Sequence, residues 1–262
     1  MSGSPEVLIP ASPDEATAAF GDGSDVTVIG GGTIVVPEIT HGRRSPGKTI
    51  LLARAGLSGV AESGGRVTIG GATPLGELTG LAAPIGPCAA NVADLEIRAQ
   101  ATVGGNICAG HSPEAPRGDI QGALLAVGAT VRSAGAGGVT EEPLESFLAG
   151  RHNRLVLDVS YDTPAAGGFA SLDRVHTHDY TALAVSTARA QDGTIRIAVT
   201  GAGTHGQRLP SAEAAASDPT AAGAAAVADV SPHDDALASA WYRTKTLPVL
   251  VRRALAQLEE NT

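Results

Sequence analysis

Cysteine is almost missing from this sequence: Cys88 and Cys108 are the two in 262 residues. They are too few and too far apart for a zinc site or an iron–sulfur cluster held by this chain alone. Both read as small, buried, reduced thiols. Nowhere do about 18 apolar residues run uninterrupted, so no transmembrane helix is expected. Met1 to Pro10 lacks a basic segment followed by an apolar stretch of about 7–15 residues, so no signal peptide is expected and the protein reads as cytoplasmic. Aromatics make up 3% of the chain and no basic run interleaves with them, which removes the usual single-strand-binding surface. The net charge of −9 repels phosphate backbones and anionic lipid, so neither nucleic acid nor a membrane surface is an expected partner. A Gly-Lys-Ser/Thr phosphate loop is also absent.

No pair of side chains reads as an acid/base dyad or as a nucleophile with its base, so no catalytic residue is assigned. Among seven histidines only His176 and His178 lie close in sequence. Without a third ligand they read as a solvated strand face, and no metal site is expected.

What remains is globular. An apolar fraction of 43% against 17% charged supports a sizeable core, and the length suits one large domain or two to three small ones. Glycine, at 34 residues, is close to double the usual ~7%, so no single glycine doublet is informative alone.

Along the chain, a helix is predicted over Pro13–Phe20 with Ser12 as its cap, then a strand over Val26–Ile29. Thr49–Leu52 and Arg66–Ile69 read as further strands, Leu75–Leu81 and Pro84–Ala93 as short helices. Asp119 reads as the N-cap of an apolar helix running to Ala126, and Thr130–Ser133 as a strand. A composition shift over Asp162–Gly168 reads as a linker. Leu183–Ala190 and Ile195–Thr200 read as a hairpin about the Gln191-Asp192-Gly193 turn. Ser211–Asp229 is alanine-rich helix with loop, and Asp234–Glu260 reads as two helices divided at Pro248. These elements suggest an α+β chain with a small N-terminal α/β unit, a larger central unit and a hairpin-plus-helices tail.

Two glycine loops carry possible chemistry. Gly30-Gly31-Gly32-Thr33 follows a strand, yet it is no dinucleotide-fold fingerprint. Val35 stands where the third glycine belongs, Pro37 interrupts the helix, and no acid follows about 20 residues on. Such a run can still turn backbone N–H groups onto an anion, with Thr33 adding a hydroxyl; it equally suits a tight turn. Thr102-Val103-Gly104-Gly105-Asn106, preceded by Arg98, gathers a hydroxyl, two glycines and an amide, a set suited to a diphosphate and to sugar hydroxyls. Asp119 adds a carboxylate acceptor suited to a sugar hydroxyl, and suits helix capping as well. A branched side chain at Gly104 is expected to leave the fold intact and to remove the diphosphate contacts.

Taken together, these segments resemble a family. Gly30 to Pro37 (GGGTIVVP) resembles the glycine loop of the FAD-binding medium subunits of the xanthine dehydrogenase and carbon monoxide dehydrogenase family, the molybdenum hydroxylases. Ile97 to Asn106 (IRAQATVGGN) is similar to that family's second loop, and Asp119 to Ala129 (DIQGALLAVGA), after Ser112-Pro113, to the helix that follows it. Arg174 to Ala184 and Ala240 to Leu255 resemble its C-terminal domain. The order and spacing of these segments cover nearly the whole chain, with Ile34 standing where the family has a small polar residue.

The resemblance implies a two-part FAD-binding domain of the vanillyl-alcohol-oxidase type over 1–161, divided near 52, and a small α+β C-terminal domain over 168–262. It implies FAD bound by Gly30, Gly31, Gly32, Thr33, Ile34, Thr102, Val103, Gly104, Gly105, Asn106 and Asp119. It also implies electron transfer from iron–sulfur clusters to an external acceptor. Molybdopterin and two clusters of the 2Fe–2S type would sit on a large and a small partner subunit, in a doubled three-subunit assembly, a heterohexamer. A self-contained flavoprotein oxidoreductase and a flavin-free scaffold subunit are the alternatives.

Overall fold

A computed structural model describes residues 5–110, 118–150, 153–172, 174, 176 and 179–260. Ser112-Pro113 and His178 lie outside the described residues. The chain builds three sheets. The first is parallel, in the order β1 (Glu6–Leu8), β3 (Lys48–Leu51), β2 (Val26–Ile29). Its connections carry helices α1 (Pro13–Phe20) and α2 (Val35–Thr40). The start of α1 is fixed locally: Ser12 Oγ accepts from Glu15 N at 3.2 Å while Glu15 Oε2 accepts from Ala11 N at 2.8 Å, a reciprocal cap. Ala16 and Phe20 of α1 pack with Ile50, Leu52 and Leu155.

The second sheet is antiparallel, ordered β4 (Val60–Ser63), β5 (Arg66–Gly70), β8 (Arg154–Asp162), β6 (Thr130–Gly135), β7 (Gly138–Pro143). Gly64 and Gly65, at φ 59° and 78°, make the tight turn between β4 and β5. Short helices α3 (Ile85–Ala90), α4 (Leu95–Gln100), α5 (Val103–Ile107), α6 (Gln121–Ala126) and α7 (Leu144–Ala149) accompany it. Leu75–Leu78, expected as part of a longer helix, is a single 3-10 turn. The main core joins Ile69, Leu75, Ile85, Ile107, Leu124 and Val159.

The third sheet is antiparallel: β12 (Gln207–Arg208), β11 (Ile195–Thr200), β10 (Ala184–Arg189), β9 (Ala166–Ser171). Val185, Ile197 and Val199 face the long helix α10 (Ala240–Glu260) and the short helices α8 (Pro210–Ala214) and α9 (Pro219–Ala225). Ala188 and Ala198 belong instead to the main core, and Thr200 Oγ1 accepts from Gly122 N of α6 at 3.1 Å. Helix α6 is therefore pressed between two sheets, which explains why all six of its residues are buried and five of them lack a polar side chain. The exception, Gln121, bonds Ile107 O, Ala109 O and Gly206 N.

Three sequence expectations need correction. Asp119 is not the cap of α6; Ile120 holds that position without a side-chain bond. The tail is one helix rather than two, with Pro248 inside it. Burial of Leu247, Leu250, Val251, Leu255 and Leu258 against the sheet outweighs the ~3 kcal/mol that an interior proline costs. The expected linker runs into strand β9 at Ala166. A Cβ on Gly167 would lie 1.9 Å from Ala83 O, and one on Gly168 2.1 Å from Ala254 O. These glycines are selected by close packing on two sides. No helix among the described residues is long and apolar enough to cross a membrane.

Candidate functional site

A cavity of about 620 Å³ opens where the parallel sheet, the central unit and the segment just ahead of β10 meet. That volume falls within the ~300–1,000 Å³ typical of small-molecule and cofactor sites. Its lining includes Phe20, Val28, Leu52 and Leu155 from the cluster under the parallel sheet, Val92 and Ile97 from the main core, and Asp119, Tyr180 and Thr181.

Both glycine loops reach this wall. Gly30, Gly31, Gly32, Thr33, Ile34, Thr102, Gly104, Gly105, Asn106 and Asp119 all line the cavity. Val103 does not line it: it is fully buried behind the wall in the main core. The loops touch each other. A Cβ on Gly31 would stand 1.7 Å from Gln100 O, and one on Gly30 2.5 Å from Thr102 Oγ1. Gly32 has φ +74°, a conformation that side-chain-bearing residues rarely adopt.

The two loops differ in what their N–H groups have left to offer. In the second, Val103 N donates to Thr73 O at 3.0 Å, Gly104 N to Gly71 O at 2.7 Å and Asn106 N to Thr102 O at 2.9 Å. Gly105 N donates to Thr102 Oγ1 at 3.3 Å, the N-cap bond of α5. All four backbone donors are engaged inside the protein. A Cβ on Gly104 would meet Gly71 O at 2.9 Å and Val156 Cβ at 3.3 Å, so this glycine serves packing, contrary to the expectation that a branched side chain there leaves the fold intact. In the first loop the N–H groups of Gly31, Gly32, Thr33 and Ile34 have no partner among the described residues. Ile34 precedes α2 without a side-chain acceptor for its N–H groups. The second loop's remaining donors are the Thr102 hydroxyl and Asn106 Nδ2, since Asn106 Oδ1 accepts from Ile120 N at 3.0 Å. Arg98 is turned to Val92 O and Ala93 O, at 2.7 and 2.8 Å, and does not line the cavity.

Several wall residues escaped the sequence reading. Glu38 and Arg44 pair at 2.8 Å. Arg154 is bound to Ser133 Oγ, Ser133 O and Gly138 O at 2.7–2.9 Å. Tyr180 comes from a segment ahead of β10; its phenol is raised above the ordinary value by burial and secondarily by the Asp119 carboxylate. Of the two thiols, Cys88 is buried as expected and burial, with Asp119 second, pushes its thiol far up. Cys108 is not buried as expected: it is exposed to the cavity, where the surrounding concave wall displaces water and pushes its thiol up to about 11. Among the described residues no His/Cys/Asp/Glu group forms a metal site.

A run of unpartnered N–H groups beside a hydroxyl, in a cavity that also carries an apolar cluster, a carboxylate and a phenol, suits a ligand that joins an anionic group to apolar and hydroxyl-bearing parts. The model of the FAD binding domain in molybdopterin dehydrogenase matches residues 3–160. The carbon monoxide dehydrogenase medium chain of Hydrogenophaga pseudoflava is 26% identical, over 95% of this chain and 95% of its own length. The solved carbon monoxide dehydrogenase of that organism, in a form lacking the Mo-pyranopterin moiety of its cofactor, superposes with TM-score 0.85 at 26% identity, covering 100% of this chain and 99% of that one. Quinoline 2-oxidoreductase from Pseudomonas putida 86 shares the fold at TM-score 0.83 and 18% identity, covering 99% and 98%. This chain belongs to the FAD-binding medium subunits of the molybdenum hydroxylases, oxidoreductase components of the carbon monoxide dehydrogenase type.

Proposed function

We propose that this chain holds one FAD noncovalently in the cavity and serves as the electron-transfer subunit of a molybdenum hydroxylase. Bound FAD would supply the redox chemistry, taking electrons from iron–sulfur clusters on a small partner subunit and passing them to an external acceptor. The observation that carries the reading is the unpartnered N–H run of Gly31, Gly32, Thr33 and Ile34 on the wall of a 620 Å³ cavity. Those groups, with the Thr33 and Thr102 hydroxyls and Asn106 Nδ2, hold the diphosphate. Gly105 keeps the wall thin enough for close approach, Gly30 admits the contact with Thr102, and Val103 and Gly104 act only from behind, Gly104 through its packing on Gly71 and Val156. Phe20, Val28, Leu52 and Leu155 offer an apolar slot for adenine. Asp119 accepts from a flavin-side hydroxyl, and Tyr180 lines the cavity with it. In this reading residues 1–161 form a two-part flavin domain of the vanillyl-alcohol-oxidase type and 168–262 a C-terminal domain. The chain works in the cytoplasm beside a large molybdopterin subunit and a small iron–sulfur subunit, doubled into a heterohexamer.

Heat denaturation of the purified chain should release free FAD into the supernatant, one per chain. Flavin that stays on the precipitate, FMN in its place, or no flavin after reconstitution would sink the assignment. Expressed alone, the chain should reduce no dye at the expense of the whole enzyme's substrate, and coexpression with its partners should restore that activity. Substrate turnover by the lone chain would instead favour a self-contained flavoenzyme.

A further inference from the structure

Among the described residues the cavity wall carries three carboxylates, Glu38, Asp119 and Asp179, against two guanidinium groups, Arg44 and Arg154. A diphosphate placed there adds two negative charges, and N–H dipoles alone leave that charge uncompensated in a partly desolvated cleft. Arg154 is not available for it, because its guanidinium is held by Ser133 and by the carbonyls of Ala136 and Gly138. Arg44 is. Its Nε donates to Glu38 Oε2 at 2.8 Å, and Nη1 and Nη2 have no partner among the described residues. The side chain is 46% exposed and Glu38's 29%, so the pair is solvated and weak, and exchange of partner costs little.

Backbone bonds hold Arg44 on the correct side. Arg43 N and Arg44 N both donate to Glu38 O, at 2.8 and 3.2 Å, folding segment 41–44 back over α2. Glu38 N in turn donates to Ile34 O at 3.3 Å, which ties the same turn to the loop bearing the unpartnered N–H groups.

We propose that Arg44 is the phosphate-neutralising cation of this site, held by Glu38 until a diphosphate displaces that carboxylate. The proposal rests on the flavin reading above and names a residue toward which no glycine-loop pattern points. When ligand arrives, Arg44 exchanges the Glu38 carboxylate for phosphate oxygens, which a planar guanidinium can meet with two parallel N–H bonds. Glu38 is released to solvent or to a ribose hydroxyl.

The test titrates flavin-free full-length chain with FAD and riboflavin, following flavin fluorescence, and with ADP by its competition against FAD, for wild type, Arg44→Met, Arg44→Lys and Glu38→Gln. Arg44→Met should weaken FAD and ADP about 10–100-fold, as for loss of a charge-assisted hydrogen bond. It should flatten the salt dependence of FAD affinity and leave riboflavin, which has no phosphate, unchanged. Arg44→Lys should recover part of the affinity and most of the salt dependence, and Glu38→Gln should tighten FAD several-fold by removing the competing carboxylate. FAD affinity within twofold of wild type in Arg44→Met, or an equal loss of riboflavin, overturns the proposal. Failure of wild type to bind FAD overturns the flavin reading instead.

Discussion

At the scale of single residues, Gly31 and Gly104 look alike in sequence and differ in space. A Cβ on Gly31 collides with the carbonyl oxygen of Gln100 at 1.7 Å, and neither group is a side chain that can turn away. Gly31→Ala should therefore push the two cavity loops apart and abolish FAD retention in the purified chain. Gly104→Val meets Gly71 O and Val156 inside the core, so its first effect is on folding, about 1–3 kcal/mol of overpacking, read as a lower urea midpoint of the flavin-free chain. Retention of wild-type FAD content in Gly31→Ala would show that the loop contact is dispensable. The thiols also separate by environment. Iodoacetamide should label Cys108 slowly at neutral pH, faster as pH rises toward its value of about 11, and more slowly with FAD present. Cys88 should stay unlabelled until the chain unfolds.

At the scale of elements, helix α10 is held by a buried charge. Arg243 is fully buried and donates to Ala182 O, His233 O, Ala238 O and Asp235 Oδ1 at 2.6–3.1 Å. The bond to Ala182 fixes the residue after Thr181, so this helix also steadies part of the cavity wall. Arg243→Met should cost about 3–5 kcal/mol by removing the buried cation that neutralises the Asp235 carboxylate, which then keeps the N–H groups of Leu237 and Ala238 as donors, and Asp235→Asn in the same chain should recover part of it, measured by urea unfolding. The β10–β11 hairpin carries a smaller, pH-dependent device. Asp192 accepts from Thr194 N at 2.9 Å, and this bond holds its carboxyl below the ordinary value of 3.8. A depressed carboxyl stabilises the fold above that ordinary value and loses the contribution as pH falls through the lower folded one. Asp192→Asn should flatten the acid limb of the melting curve below about pH 4, while an unchanged limb would mean the turn is already open there.

At the scale of the whole molecule, the central unit and the tail share a core. Helix α6 lies between them, with Ala188 and Ala198 of the third sheet in the same cluster as Leu124 and Val159. A fragment ending at Ala165 would uncover that face of α6. It should show no cooperative thermal transition, whereas the full chain should melt in a single one; calorimetry decides between them. A sharp transition in the fragment would mean that the two parts fold independently, as the composition shift near Asp162 suggested.

What the sequence determined by itself is local. The Ser12 cap of α1, strand β2 running into its glycine turn, the Asp192-Gly193 hairpin and the presence of two glycine loops all follow from contacts within a few residues. Family membership was also legible, because the loops keep their order along the chain. Only the tertiary structure decided which loop has N–H groups to give, since Thr73 and Gly71 satisfy Val103 and Gly104 from a turn far upstream. It likewise turned Gly167 and Gly168 from linker into strand, made one helix of the tail across Pro248, and brought Tyr180 and Arg44 to the same cavity. Each of these depends on a carbonyl, a side chain or a sheet face supplied by a distant part of the chain, and period, propensity and spacing carry no record of such partners.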